Sequence, residues 1–379
     1  MARILRIPIT NIYMDGDYTG LFLIGSQQKP VNLILDTGSS ALALDGRKYQ
    51  PDSGAGDKIT NLAQTAAYGD NSTWTGALIN TTVTAGTGGS QLILPNANVA
   101  VAYEESSSMF RQSDGILGLA YAPLDDAYKM PGPTWPQKYT STQLLTQPPE
   151  QIAPYLTQLS TSGVTSEKIS FLTRRSFVHQ GQGANDPLNQ GWLVIGGGEE
   201  STDLYTGAFQ SVKVVADRYY NTNLQAIIVG QTQPIYVRPH SSLGMPSNSI
   251  VDSGTNSLNM GRQLLAAILS KFSTSQRELL TQAINGTPVA TSALGDLASW
   301  PSLTFVLEGS DPNQAVKLAV SPSNYWQVNA PQAGSALAAI TLGDENNTIL
   351  GLPLMNGYFT IFDGTADNGK GVIKFATSK

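Results

Sequence analysis

Short apolar runs, each only a few residues long, recur from one end of the chain to the other. Clear examples are residues 20–24, 92–94, 192–195 and 358–362, and each is followed at once by Gly, Pro or Asp. Runs of this length with such boundaries are typical of β-strands. The chain is therefore predicted to be mainly β.

Helical spacing of apolar positions is confined to a few segments. It predicts helices over residues 149–159 and 263–272 and a shorter one over 275–283, although Pro154 interrupts the first of them. The proline-rich stretch 128–149 is predicted to be a surface loop. Residues 1–9 alternate like a strand and lack the continuous apolar core of a signal peptide.

The composition favours a large protein that tolerates an acidic medium. The chain has 379 residues, enough for two lobes with ample cores. Charged residues make up only 13% of it, about half the roughly 25% that is usual. Uncharged polar side chains must therefore cover much of the surface. Such side chains stay uncharged at acid pH, where carboxylates become protonated.

Several function classes are poorly supported. The net charge of −6 argues against nucleic acid as a partner. Cysteine is absent, so disulfides and thiolate chemistry are unavailable. The chain has two histidines, His179 and His240, and no Gly-x-Ser-x-Gly phrase accompanies them, which argues against a serine–histidine triad. Two histidines and no cysteine also provide few ligands for zinc, so no metal or other cofactor is expected. No stretch approaches the ~20 apolar residues of a membrane span.

Two short phrases occur twice in the same order. An acid, a small hydroxyl residue and a glycine end an apolar run at residues 36–38 and again at 252–254, and each is followed later by Ile-Leu-Gly, at 116–118 and 349–351. Glycine in the second phrase would let a strand pass closely behind the acid-bearing turn. This repeat predicts two related β lobes, with domains at residues 1–195 and 196–379.

Two such acids, brought face to face, would form a dyad. Neighbouring carboxylates cannot both ionise at low cost, so one stays protonated over a broad acidic range. The ionised acid can take a proton from water while the other donates to a substrate carbonyl. Water then attacks an amide without a covalent enzyme adduct. Asp36 and Asp252 are therefore the predicted catalytic residues, and they titrate as a pair.

The residues beside each acid have predicted supporting roles. Gly38 and Gly254 can offer backbone N–H groups to the inner carboxylate oxygens, and Ser39 and Thr255 can donate hydroxyls to the outer ones. A single phrase of this kind more often marks a structural turn at the end of a strand. The repetition favours catalysis instead.

The chain resembles the pepsin-like aspartic endopeptidases over nearly its whole length. The matching phrases, in the family's order, are residues 36–40, 68–69, 114–121, 204–207, 250–255 and 349–351. The resemblance implies a bilobal, mainly β fold with a few short helices and a deep cleft, to which each lobe contributes one catalytic acid. It implies a monomer that acts on peptide or protein substrates at acid pH and binds pepstatin-type inhibitors, with no membrane partner.

The same resemblance assigns further residues. Tyr68, Gly69 and Asp70 match the tip of the flap, a hairpin that covers bound peptide, although an ordinary β-turn is the alternative. Thr37 and Ser253 match residues that bond across the lobes beneath the dyad. The absence of cysteine is more similar to bacterial pepsin homologues than to animal or fungal ones, and a secreted or periplasmic location is expected.

One position departs from the family pattern. The tryptophan that usually stands seven residues after the first acid and bonds to the flap tyrosine is replaced by Ala43. Trp74 is a candidate substitute, but the sequence leaves the orientation of Tyr68 open.

Two other classes of function remain open. A catalytically inactive pepsin-fold module that binds peptide or protein usually lacks an acid, a glycine or the flap tyrosine, and this chain has all of them. A glycoside hydrolase also uses paired carboxylates, but they stand farther apart and need no duplicated turns. The sequence favours the endopeptidase.

Overall fold

The computed structural model describes residues 3–106, 109–179 and 181–379. Its first strands are β1 (Leu5–Met14), β2 (Asp17–Ile24), β3 (Lys29–Asp36), β4 (Leu42–Asp45), β5 (Lys58–Ala67), β6 (Thr73–Ala85), β7 (Leu92–Glu105), β8 (Gly115–Gly118), β9 (Asp126–Lys129) and β10 (Pro149–Gln151). Helices α1 (Ser141–Leu144) and α2 (Tyr155–Thr161) flank the last of them.

The remaining elements continue the β-rich pattern. The strands are β11 (Lys168–Leu172), β12 (Gln190–Ile195), β13 (Tyr205–Lys213), β14 (Ala216–Asp217), β15 (Tyr220–Thr222), β16 (Leu224–Val229), β17 (Ile235–Tyr236), β18 (Ser249–Val251), β19 (Leu258–Met260), β20 (Val289–Ala290), β21 (Leu303–Glu308), β22 (Ala315–Val320), β23 (Trp326–Val328), β24 (Ser335–Ala338), β25 (Ile340–Leu342), β26 (Thr348–Leu350), β27 (Tyr358–Asp363) and β28 (Val372–Ser378). The helices are α3 (His240–Leu243), α4 (Arg262–Leu269), α5 (Thr274–Ile284), α6 (Pro322–Tyr325) and α7 (Leu352–Met355). The predicted mainly β class with short helices is confirmed.

The chain forms two compact units that are interleaved along the sequence. The first comprises the chain up to Ile7 with residues 19–167 and 194–196, and the second comprises residues 8–18, 168–193 and 197–379. The division into domains at residues 195 and 196 stays a prediction.

Each unit contains sheet built around its own acid-bearing strand. Within the first unit the strands follow the order β10-β9-β5-β6-β7-β4-β8-β3-β2. The second unit contains a six-stranded sheet β14-β15-β18-β26-β19-β25, a four-stranded sheet β17-β16-β21-β22, a three-stranded sheet β20-β24-β23 and the ladder β11-β27-β28-β13.

The internal repeat of the sequence is a repeat of strand topology. In the first unit β3 pairs in parallel with β8, β8 pairs antiparallel with β4, and β4 pairs in parallel with β7. In the second unit β18, β26, β19 and β25 pair in the same order and the same directions. Each acid therefore stands at the end of the first strand of an equivalent four-stranded arrangement.

Burial on both faces fixes these strands. Leu33 and Leu35 on β3 are fully buried, as is Val251 on β18. The sequences of these strands are continuous apolar runs because both faces of each strand lie in the core. Burial on both faces is typical of strands with parallel neighbours. The end of each run, where the acid stands, is thereby held in a fixed place.

The helix predictions were right in the second unit and partly wrong in the first. Helices α4 and α5 lie where the apolar spacing placed them, and Ser273 and Gln276 form a capping box at the start of α5. The segment predicted as one helix over 149–159 begins instead as strand β10, and α2 starts only after Pro154. Proline at that position has no N–H to donate and favours the first turn of a helix rather than its interior.

The predicted surface loop over 128–149 was also partly wrong. It begins within β9, which pairs with β5, and it contains helix α1. Among the described helices, none is long and apolar enough to cross a membrane.

Candidate active site

Asp36 ends strand β3 and accepts two hydrogen bonds from its own turn. The backbone N–H of Gly38 donates to Oδ1 at 2.7 Å, and the hydroxyl of Ser39 donates to Oδ2 at 2.5 Å. The side chain is buried, with 5% of the residue exposed. Both oxygens therefore have a donor, and the plane of the carboxyl group is fixed from two sides.

Asp252 follows strand β18 and is held in the same way. The backbone N–H of Gly254 donates to Oδ1 at 2.8 Å, and the hydroxyl of Thr255 donates to Oδ2 at 2.6 Å. Asp252 is 7% exposed. The four predicted hydrogen bonds are thus present, one pair in each unit, while the catalytic roles stay predictions.

The strand with the Ile-Leu-Gly phrase runs directly behind each turn. The N–H of Ala120 donates to the carbonyl of Ser39 at 2.8 Å, and the N–H of Leu352 donates to the carbonyl of Thr255 at 2.8 Å. These backbone bonds anchor the residues whose hydroxyls bind the acids.

Glycine is required where these backbones meet. A Cβ on Gly118 would lie 2.4 Å from the carbonyl carbon of Ser40, and one on Gly351 would lie 2.2 Å from the carbonyl oxygen of Thr255. Both distances are too short for non-bonded atoms, so the close approach predicted from the sequence is confirmed.

Thr37 and Ser253, the middle residues of the two phrases, are buried, with 0% and 1% exposed. Their predicted bonding across the lobes stays a prediction.

The predicted flap is a hairpin between β5 and β6. The N–H of Tyr68 donates to the carbonyl of Ser72 at 2.9 Å and closes the turn. Gly69 and Asp70 are exposed at its tip. The carboxylate of Asp70 accepts from the N–H of Ser72 at 2.9 Å and from its hydroxyl at 2.6 Å. These bonds stabilise the tip as a turn.

Tyr68 is oriented by the tryptophan that follows it in the same hairpin. The indole Nε1–H of Trp74 donates to the Tyr68 hydroxyl at 3.0 Å. Trp74 is 1% exposed, whereas Ala43 is fully buried beside Ala100 and Ile116. The question that the sequence left open is answered, because Trp74 supplies the bond that no side chain at Ala43 can make.

The Tyr68 hydroxyl lies near the turn of the first acid, since both the charge of Asp36 and the side chain of Ser39 act on its pKa. Desolvation, followed by the nearby charge of Asp36, raises the pKa of Tyr68 well above its usual value. The phenol therefore stays protonated and can act as a donor.

Sequence reasoning missed the proximity of Tyr68 to Ser39 and Asp36. No spacing or motif predicts it, since Tyr68 lies in the hairpin turn after β5 and Ser39 in the turn after β3. Each unit thus contains one buried carboxyl that accepts two hydrogen bonds from its own turn.

Comparison with known proteins gives matches along almost the whole chain. A family model described as eukaryotic aspartyl protease matches residues 17–149 and 183–377. Gastricsin of Callithrix jacchus is 24% identical over 381 aligned positions, which cover 97% of this chain and 82% of that protein. Pepsin B of Canis lupus familiaris is 24% identical and covers 95% and 82%, and chymosin of Camelus dromedarius is 24% identical and covers 99% and 84%.

Proposed function

Because the chain belongs to the eukaryotic aspartyl protease family, we propose that it is an aspartic endopeptidase that hydrolyses peptide bonds at acid pH through Asp36 and Asp252. The observation that carries the proposal is the duplicated set of hydrogen bonds on the two acids. A single set of this kind is what a structural turn at the end of a strand would show. Two equivalent sets, in two units with the same strand topology, support paired catalytic carboxyls.

The proposed reaction uses the two acids as a base and an acid. One ionised carboxylate takes a proton from water, and the protonated carboxyl of the other donates to the carbonyl oxygen of the scissile amide. The resulting tetrahedral intermediate collapses when the amide nitrogen is protonated and the C–N bond breaks. The two acids exchange roles in each cycle, so neither has a permanent assignment.

The supporting donors have a specific task in this scheme. The N–H groups of Gly38 and Gly254 and the hydroxyls of Ser39 and Thr255 hold each carboxyl group in one plane. Preorganised donors of this kind need no rearrangement during the reaction, which lowers its barrier. The flap with Tyr68 is proposed to cover the bound peptide and to exclude water other than the nucleophile.

The proposed substrates are peptides or unfolded proteins, and a pepstatin-type inhibitor is expected to bind. The low content of charged residues supports work in an acidic, secreted or periplasmic setting. A monomer without nucleic-acid or membrane partners fits the net charge of −6.

The first experiment is digestion of a denatured protein at about pH 4, with and without pepstatin. We expect new peptides that disappear with the inhibitor. Pepstatin binding without any cleavage would instead support the alternative, an inactive pepsin-fold module that binds peptide or protein. Neither binding nor cleavage would reject both.

Replacing Trp74 by Phe is expected to lower kcat/KM about tenfold, because Tyr68 loses the N–H donor that orients its hydroxyl. Steady-state kinetics on a peptide at about pH 4 provide the measurement. Trp192→Phe, a change at a half-buried tryptophan of the second unit, is the matched control and is expected to have no effect.

A spectroscopic readout tests the same contact without activity. The chain has 5 tryptophans, so an indole N–H spectrum of the nitrogen-15-labelled protein is simple to assign. Tyr68→Phe is expected to shift the Trp74 signal and leave that of Trp192 in place. An unchanged Trp74 signal would contradict the proposed orientation of Tyr68.

A further inference from the structure

The strand that leads into the flap is interrupted in its middle. The register between β5 and β6 shifts between Ile59 and Ala63, so the backbone of residues 60–62 leaves the ladder with β6. A bulge of this kind leaves backbone groups that need other partners.

Those partners come from the proline-rich segment that follows β9. The N–H of Met130 donates to the carbonyl of Asn61 at 2.8 Å, and the N–H of Thr134 donates to that of Thr60 at 3.1 Å. The hydroxyl of Thr134 donates to the carbonyl of Leu62 at 2.9 Å. The segment thus replaces the missing ladder along the outer side of β5.

A buried polar pair joins β5 to the residues at the start of β9. The side chain of Gln64 donates to Oδ1 of Asp125 at 2.8 Å and to the carbonyl of Asp126 at 3.2 Å. Gln64 and Asp125 are each 3% exposed. Gln64 stands on β5, which leads into Tyr68, so the pair acts on the base of the hairpin.

An apolar cluster completes the attachment. It consists of Ala63 on β5 together with Tyr128, Met130, Tyr139 and Leu144. The hydroxyl of Tyr103 on β7 donates to the carbonyl of Tyr139 at 2.7 Å and accepts from its N–H at 3.0 Å. The segment is therefore fixed to β5 and to β7.

We propose that residues 125–151 form a brace that holds the first strand of the flap, with Gln64 and Asp125 as positioning residues for Tyr68. Only the role of the flap in this inference rests on the proposed function. The brace itself is a statement about how β5 is held.

The brace depends on the protonation of Asp125. Burial, followed by the charge of Asp126, raises the pKa of Asp125 to about 7. The other titratable groups on the adjoining elements are Tyr128 and Lys129 on β9, Lys58 on β5 and Glu150 on β10, which lies opposite Ala127. The buried carboxyl therefore stays neutral to a higher pH than an exposed one.

The sign of the pH effect follows from linkage. The pKa of Asp125 is higher in the closed brace than in an open state in which water solvates the carboxyl. The stabilisation of the closed brace is therefore fully present when the pH is below the pKa of the solvated carboxyl. As the pH rises from about 4 to about 7, the open form gains up to about tenfold per pH unit, and above that range the equilibrium stays constant.

Hydrogen–deuterium exchange of the β5 amides, corrected for the intrinsic rate at each pH, measures this opening without any need for activity. In the wild type, protection is expected to fall between about pH 4 and about pH 7. Asp125→Asn keeps the shape of the side chain but cannot ionise, so its protection is expected to stay flat. Glu150→Gln, at an exposed acid of the same brace, should follow the wild type.

Kinetics separate positioning from a purely structural role. Gln64→Leu is expected to raise KM about fivefold at about pH 4 with kcat within about twofold, because substrate binding needs the flap in place. A smaller population of folded enzyme would lower kcat and leave KM unchanged.

The proposed brace would be contradicted if the protection of the β5 amides against exchange had the same pH dependence in the wild type and in Asp125→Asn. An unchanged KM in Gln64→Leu would contradict it as well. If the wild type cleaves nothing, the proposed function fails, and exchange alone still decides whether the brace exists.

Discussion

Asp36→Asn and Asp252→Asn are each expected to abolish peptide cleavage while the protein stays folded. An amide can neither take a proton from water nor donate one as a carboxyl does, and the second acid cannot serve both roles. General acid–base catalysis contributes roughly 10²–10⁴-fold, and loss of either acid removes both halves, so kcat/KM should fall by at least about 10³-fold. Activity on a denatured protein and the circular dichroism spectrum are the two measurements.

The matched control is Asp311→Asn, a change at an exposed turn whose acid accepts a hydrogen bond from the N–H of Asn313. It should leave both activity and the spectrum unchanged. Retention of more than about a tenth of wild-type kcat/KM by either dyad variant would contradict the assignment.

Gly118→Ala and Gly351→Ala are each expected to lower the free energy of unfolding substantially. The added methyl group would meet backbone atoms at 2.4 Å and 2.2 Å, and neither neighbour is the end of a flexible side chain. Overpacking of this kind costs about 1–3 kcal/mol of the free energy of unfolding, and more where the backbone must move. Urea or thermal unfolding measures the loss.

Gly89→Ala is the control for this pair. Gly89 has no atom within 4 Å of the added Cβ and an ordinary φ, so the substitution should leave the free energy of unfolding nearly unchanged. Equal stability of Gly351→Ala and Gly89→Ala would mean that the two backbones can separate without cost, and the close approach would then be incidental to the site.

The repeat could be predicted from the sequence because its chemistry is local. A carboxylate, a hydroxyl residue and a glycine within four positions can form both hydrogen bonds to Asp36 inside one turn. The Ile-Leu-Gly phrase adds the need for close backbone approach, which only glycine meets. The structure confirms these features in both units, whereas the likeness to bacterial pepsins stays a prediction.

The brace could not be predicted, because its contacts are between residues far apart in sequence. Gln64 and Asp125 give no motif, and proline in 128–149 pointed to an exposed loop. The segment is ordered instead by the open edge of β5 and by the bulge at Thr60, neither of which has a sequence pattern. Tertiary pairing thus overrode local propensity.

The orientation of Tyr68 could be predicted from the sequence only in part. The sequence showed that the usual anchor is missing at Ala43 and offered Trp74 as a candidate. Only the pairing of Trp74 with Ala66 across the hairpin brings the indole to the side on which Tyr68 lies. The proximity of Tyr68 to Ser39 and Asp36 depends on how the hairpin folds over the first acid.

The most direct measurement of the central claim is digestion of a denatured protein in heavy-oxygen water at about pH 4, followed by mass spectrometry of the peptides and of the protein itself. We predict solvent oxygen in every new carboxyl terminus, no covalent adduct on the protein, and complete inhibition by pepstatin. No new peptides, cleavage that persists with pepstatin, or an acyl adduct on the chain would contradict hydrolysis by water activated between Asp36 and Asp252.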